Sequence, residues 1–72
     1  MLLSDTLIQI IAYGGGVSID ASKYSPDTLI TAATTASQSG ATIIIRNVRF
    51  LLPDTMYKIA IAGRGKVIFE IE

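Results

Sequence analysis

The residue types on which most enzyme chemistry depends are absent from this sequence or stand alone in it. There is no His and no Cys among the 72 residues, which removes disulfides, thiol nucleophiles, zinc-finger ligand sets and His-dependent catalytic arrangements. The six acidic residues fall at predicted helix starts or on predicted strands, not as a pair converging on a cleft. The hydroxyls of Thr28 and Thr55 have no base beside them to activate them. We therefore expect no catalytic residues, no metal site and no cofactor, and interpret the protein as a non-enzyme.

One segment, Gly63-Arg64-Gly65-Lys66-Val67, has the composition of a phosphate loop but not its context. A Walker A loop follows a strand, has wider glycine spacing, places Ser or Thr after the Lys and precedes a helix. Here a predicted helix comes first and a predicted strand follows. We interpret the segment as a turn that ends a helix, with its cations near the negative end of the helix dipole.

The composition describes a small apolar domain without net charge. Half of the residues are hydrophobic, 17% are charged, and six basic residues balance six acidic ones. A neutral chain has no electrostatic basis for binding nucleic acid or an anionic membrane, and no apolar run reaches the length of a membrane span. The first five residues lack the basic start of a secretory signal, and Asp5 interrupts them. We expect a cytoplasmic protein.

The chain is too short to enclose this much apolar surface. A domain of this size buries only about 60% of the surface that its unfolded chain exposes, and is marginally stable alone. An apolar content of 50% exceeds what so small a core can hold. We therefore expect burial against another chain, as a homo-oligomer or with a different protein as partner.

Three segments of the sequence begin alike and are followed by the same order of patterns. Asp5, Asp27 and Asp54 each precede Thr and an apolar pair, and they recur at intervals of 22 and 27 residues. Each opening is followed by helix-spaced apolar residues, a glycine-containing turn and a strand-like run, at 17–21, 43–48 and 67–71. The pattern predicts one domain, 1–72, made of αβ repeats at about 3–24, 25–51 and 52–72.

Local signals indicate where the helices begin and end. Ser25 can cap a helix whose first position is Pro26 and whose first turn contains Asp27. Glycines at 14–16, 40 and 63–65 are expected to end the three helices through positive φ. The predicted buried stripes are Leu7, Ile10 and Ile11 in the first helix, Leu29, Ala32, Ala33 and Ala36 in the second, and Met56, Ile59 and Ala60 in the third.

Helical connections between the strands require parallel pairing with crossovers of one hand. All helices then lie on one side of the sheet. The predicted fold class is α/β, with three short αβ repeats and a three-stranded parallel sheet with helices on one face, a solenoid-like arrangement.

Residues 43–48, Ile-Ile-Ile-Arg-Asn-Val, resemble the strand segment of leucine-rich repeats. In that family alternating aliphatic residues precede an Asn that hydrogen-bonds the turn. Asn47 stands one place earlier here, and Ala21 takes its place in the first repeat. The resemblance implies an αβ solenoid unit whose sheet face binds protein.

The open face of the predicted sheet is the candidate interaction surface. In-register stacking predicts three ladders of outward residues: Ser18–Ile44–Ile68, Asp20–Arg46–Glu70 and Ser22–Val48–Glu72. The middle ladder places a cation between two acids, which favours the register even if its residues are only solvated. Aliphatic residues beside those charges suggest a contact surface. The predicted interface residues are Ile44, Arg46, Val48, Ile68 and Glu70.

Two functions remain open from the sequence. The first is a protein-interaction or structural module that self-associates through its open sheet face or its uncapped ends. The alternative is a small anion or nucleotide binder that uses the carboxyl ends of the strands and the helix N-termini. An Asp at each helix start repels phosphate and counts against the alternative.

Overall fold

The computed structural model describes residues 3–71 and contains three helices and three strands. The helices are α1 (Ser4–Ala12), α2 (Pro26–Ser39) and α3 (Pro53–Gly63), and the strands are β1 (Val17–Asp20), β2 (Ile43–Arg46) and β3 (Val67–Phe69). A 3₁₀ turn follows β1 at Ala21–Lys23, and another follows β2 at Val48–Phe50. Within residues 3–71 no helix is both long and apolar enough to cross a membrane.

The sheet is parallel, in the order β1-β2-β3. Val17 pairs with Ile43, which pairs with Val67, so the three strands start in register. The helices pack side by side in the same order, and the fully buried Ile43 and Ile45 lie with helix residues in one hydrophobic core. The predicted α/β class and its parallel sheet are confirmed.

Helix boundaries follow the predicted caps, most clearly in α2. The Oγ of Ser25 accepts a hydrogen bond of 3.2 Å from the backbone N–H of Thr28, and Gly40 ends the helix in the left-handed region at φ 82°. The predicted stripe of this helix is fully buried: Leu29, Ala32, Ala33 and Ala36. Because three of these four side chains are methyl groups, α2 can lie close to its neighbours.

The third helix departs from the prediction at its C-terminal end. Gly63 is still helical and buried, while the positive φ angles belong to Arg64 and Gly65, at 49° and 85°. Gly63 is therefore not the terminator that the sequence indicated. A Cβ at this position would overlap Cγ2 of Val67 and lie 3.3 Å from Cβ of the same residue, so the lack of a side chain allows α3 to approach β3.

The strands are shorter than predicted, and the third ladder is wrong. The Asp20 carboxylate accepts from the N–H of Ser22 and caps the first 3₁₀ turn, and Asn47 turns the chain with φ 58°. Ser22 and Val48 consequently lie in 3₁₀ turns rather than on strands. Val48 is half-buried and packs against the core. Glu72 lies outside the described residues.

Candidate interaction surface

The first predicted ladder is present on the open face of the sheet. Ser18 pairs with Ile44, and Ile44 with Ile68, in exact parallel register. Ile44 is half-buried, whereas Ile68 is 51% exposed. The structure therefore brings the two predicted aliphatic residues together, but places Val48 away from them, against the core. The aliphatic part of the predicted surface is smaller than expected.

The second ladder is present between β1 and β2, where Asp20 pairs with Arg46. The Nε of Arg46 donates to Ser18 Oγ at 3.0 Å, along the exposed face. Glu70 follows the last residue of β3, and its backbone N–H donates to the carbonyl of Ile45 at 3.0 Å. Arg46 and Glu70 are both exposed, as the prediction of an outward charged ladder requires.

The carboxylate of Asp20 joins the ends of two strands. Its Oδ1 accepts from the Oγ and the N–H of Ser22, at 2.6 and 2.8 Å, and its Oδ2 accepts from Nδ2 of Asn47 at 2.8 Å. These hydrogen bonds lower the pKa of Asp20 from 3.8 to about 2, and the bond from the Ser22 side chain has the largest effect. The positive charge of Arg46 makes a smaller contribution in the same direction. The sequence did not indicate the bond to Asn47, because the two residues are 27 positions apart.

One groove lies at the carboxyl ends of β2 and β3, the edge at which open α/β sheets bind ligands, and a second runs along β1 to its carboxyl end. One, of about 510 Å³, includes Asn47, Arg49 and Glu70 in its lining. The other, of about 500 Å³, includes Asp20, Lys23, Tyr24 and Arg46. Each groove carries charges of both signs, so neither is a dedicated anion site.

The helix N-termini near these grooves are poorly suited to bind an anion. Both α2 and α3 begin with a Pro, which has no N–H to donate, and carry an Asp in the first turn. In α2 the side chain of Ser25 already takes the N–H of Thr28. In the described part of the chain no three His, Cys, Asp or Glu side chains are grouped so that they could hold a metal ion.

Sequence reasoning identified only Ile68 from the largest group of exposed apolar residues. In residues 3–71 eight large apolar side chains are exposed, and five of them belong to the last repeat: Leu52, Tyr57, Ile61, Ile68 and Ile71. The signal was available by aligning the repeats, since Tyr57 and Ile61 align with Ile30 and Thr34 of α2. Tyr57 stands at a position that is half-buried in α1 and α2, whereas the position of Ile61 is exposed in all three helices and carries a large apolar residue only in the last.

Comparison of the chain with protein-family models, with curated proteins and with solved structures finds no match. The resemblance of residues 43–48 to leucine-rich repeats stays a prediction from those residues. Any functional conclusion therefore depends on the geometry of the surface just described.

Proposed function

We propose that this chain is a non-enzymatic interaction module that self-associates through its open sheet face or its uncapped ends. The observation that carries the proposal is the concentration, in the last repeat, of five of the eight large apolar side chains that are exposed in residues 3–71. Single exposed apolar residues are ordinary on a protein surface, but a concentration of them is typical of an interface.

The apolar surface is large enough to matter. An apolar side chain of this size carries on the order of 100 Å² of apolar area, so five side chains that are 51–76% exposed leave roughly 350 Å² open to water. A standard interface buries about 800 Å² per partner and is a little over half apolar. The last repeat supplies much of this area, divided between α3, which carries Tyr57 and Ile61, and the open sheet face, which carries Ile68.

The edge of the sheet supports the same function. β3 pairs only with β2 in the described sheet, so its outer N–H and C=O groups are available to another strand. Exposed strand edges pair readily with further chains unless charges or a covering element prevent it. The exposed Ile68 lies on this edge strand, which links the sheet face to the open end.

Light scattering over a range of protein concentrations tests the proposal. We expect the mass to rise above that of one chain by high micromolar concentration. Ile44→Asp and Ile68→Asp should lower the mass if the sheet face takes part. Thr31→Asp is a matched control, because it adds the same charge on the exposed side of α2, away from the sheet face. A monomer at every concentration contradicts self-association.

Anion or nucleotide binding is the competing function, and the two grooves that reach the carboxyl ends of the strands are what favour it. Lys23 and Arg49 lie in their linings, but each shares its groove with an acidic residue. We therefore expect phosphate and nucleoside phosphates to leave the melting temperature unchanged. A concentration-dependent rise in melting temperature would favour this function over self-association.

A further inference from the structure

We propose that the chains associate head to tail, the α3–β3 end of one copy docking on the α1–β1 end of the next as a further repeat would. This inference depends on the proposed self-association and specifies the partner, a second copy, and the surfaces that meet. Two terms describe the helices. The trailing face of a helix looks toward the helix that follows it, and the leading face looks toward the helix that precedes it.

The trailing face of α3 lacks the cover that the other helices have. Six residues after the repeat Asp stand Ile11 in α1, Ala33 in α2 and Ala60 in α3. Ile11 and Ala33 are completely buried, whereas Ala60 is exposed. α1 packs against α2, and α2 against α3, so the first two residues have a following helix to cover them. Within the described structure, no helix follows α3.

A second position on the trailing face shows the same difference. Three residues after the Asp stand Ile8, Ile30 and Tyr57, all large and apolar in most of their surface. Ile8 and Ile30 are half-buried and pack against the core, but Tyr57 is 64% exposed. The last helix thus retains a contact residue of the kind that the first two helices use against their successors.

The leading face of α1 is uncovered in the same way. One residue after the Asp, all three repeats have Thr: Thr28 and Thr55 are half-buried, and Thr6 is exposed. Eight residues after the Asp, Tyr13, which directly follows α1, is 84% exposed. The equivalent residues of the later helices, Thr35 and Ala62, are half-buried. The two ends of the molecule therefore expose the two halves of the interface that already joins α1 to α2 and α2 to α3.

The hydrogen-bonding groups of the edge strands are complementary as well. The carbonyl of Lys66 and the N–H of Glu70 form hydrogen bonds with β2. Because alternate residues of a parallel strand bond to the same neighbour, the backbone N–H and C=O groups of Val67 and Phe69 point away from β2, toward the open edge. In β1 the N–H of Val17 bonds to the carbonyl of Thr42. By the same alternation, the backbone N–H and C=O groups of the next residue, Ser18, point away from β2, toward the other open edge.

An added β1 can therefore continue the sheet beyond β3 in the register that β1, β2 and β3 already share. A two-fold dimer that joins two α3–β3 ends would leave the exposed Thr6 and Tyr13 of both copies uncovered. Head-to-tail contact covers both ends and generates a ring or a filament. The repeat geometry favours the head-to-tail arrangement.

The junction contains one unfavourable contact. The shared register places Asp20 of the next copy beside Glu70, and like charges directly opposite in a sheet are destabilising. Added salt should therefore tighten the assembly by screening this pair. Glu70→Gln should also tighten it, since it removes the like charge opposite Asp20 of the next copy without placing a second cation beside Arg46. Weaker assembly of Glu70→Gln would contradict the proposed register.

Two variants that each block one end test the arrangement. Ala60→Arg blocks the trailing face of α3, and Thr6→Glu blocks the leading face of α1. Both residues are exposed, and each new charge suits the helix dipole at its end of the helix. Gln9→Glu and Thr31→Arg, on the exposed sides of α1 and α2, are matched controls. Circular dichroism confirms folding, and light scattering measures mass.

We expect the wild type and the controls to assemble, each blocked variant alone to stay monomeric, and an equimolar mixture of the two blocked variants to form a dimer that grows no further. A Thr6→Glu variant that still dimerises would overturn the inference in favour of a two-fold α3–β3 dimer. Normal assembly of both blocked variants, with loss only in Ile68→Asp, would overturn it while leaving self-association intact. A monomeric wild type would overturn both proposals.

Discussion

Substituting Gly63 by Ala should destabilise the protein, although alanine is the better helix former. The added Cβ would overlap Cγ2 of Val67 and would lie 3.3 Å from Cβ of the same residue. Rotation of the Val67 side chain can relieve the first contact. It cannot relieve the second, because that Cβ is attached directly to the backbone of β3.

The magnitude follows from two opposing effects. Alanine in place of glycine inside a helix is worth about 1 kcal/mol in favour of the folded state. Overpacking a closely packed site costs about 1–3 kcal/mol, and the contact here involves backbone-attached atoms on both sides. Because neither atom can move independently of its backbone, we place the cost in the upper part of that range, about 2–3 kcal/mol, and expect a net loss of about 1–2 kcal/mol in the free energy of unfolding.

Urea unfolding followed by far-UV circular dichroism measures this difference. Val67→Ala is the matched second change, because it removes Cγ2 and leaves Cβ. The double variant should lose less stability than the sum of the two single variants, since the principal overlap is then absent. A Gly63→Ala variant as stable as the wild type would refute the argument that this glycine sets the distance between α3 and β3.

Three further predictions test local features. Ser25→Ala removes the acceptor for the N–H of Thr28 and should cost about 1 kcal/mol in urea unfolding. The pKa of Asp20 is lowered from 3.8 to about 2 in the folded state, so its contribution to the free energy of unfolding is present above pH 4 and is lost as the pH falls through 2. Asn47→Ala removes one hydrogen bond to this carboxylate and should raise its pKa in an NMR titration. Ser39→Ala removes the 2.6 Å bond from Oγ to the carbonyl of Ile11 and should lower stability by about 1 kcal/mol in thermal unfolding, because this carbonyl keeps only its bond from the N–H of Gly14.

Most of the fold could be predicted because its signals are local, and they are most complete in the second repeat. The cap at Ser25, the Pro at the first helical position and the glycine at 40 act within a few residues, so the bounds of α2 were readable. The parallel pairing could be predicted because a helix connects each strand to the next. The shared register could be predicted because the three strand-like runs begin at equivalent positions. The candidate surface was only partly predicted, because the strand pattern of alternating inward and outward side chains was assumed to continue past Asp20 and Arg46. The strands end at these residues, so Val48 does not lie on the sheet face.

The amino-acid sequence by itself determined the order of helices and strands, their parallel pairing and the apolar stripe of α2, since each depends on residue types at short spacing. Only the tertiary structure decided that Val48 packs against the core, that Asp20 bonds to Asn47, and that Ala60 is exposed while Ala33 is buried. The physical reason is the same in all three cases. Burial and hydrogen bonding at these positions are set by neighbours far away in the chain, and two residues of the same type can differ completely according to whether another helix covers them.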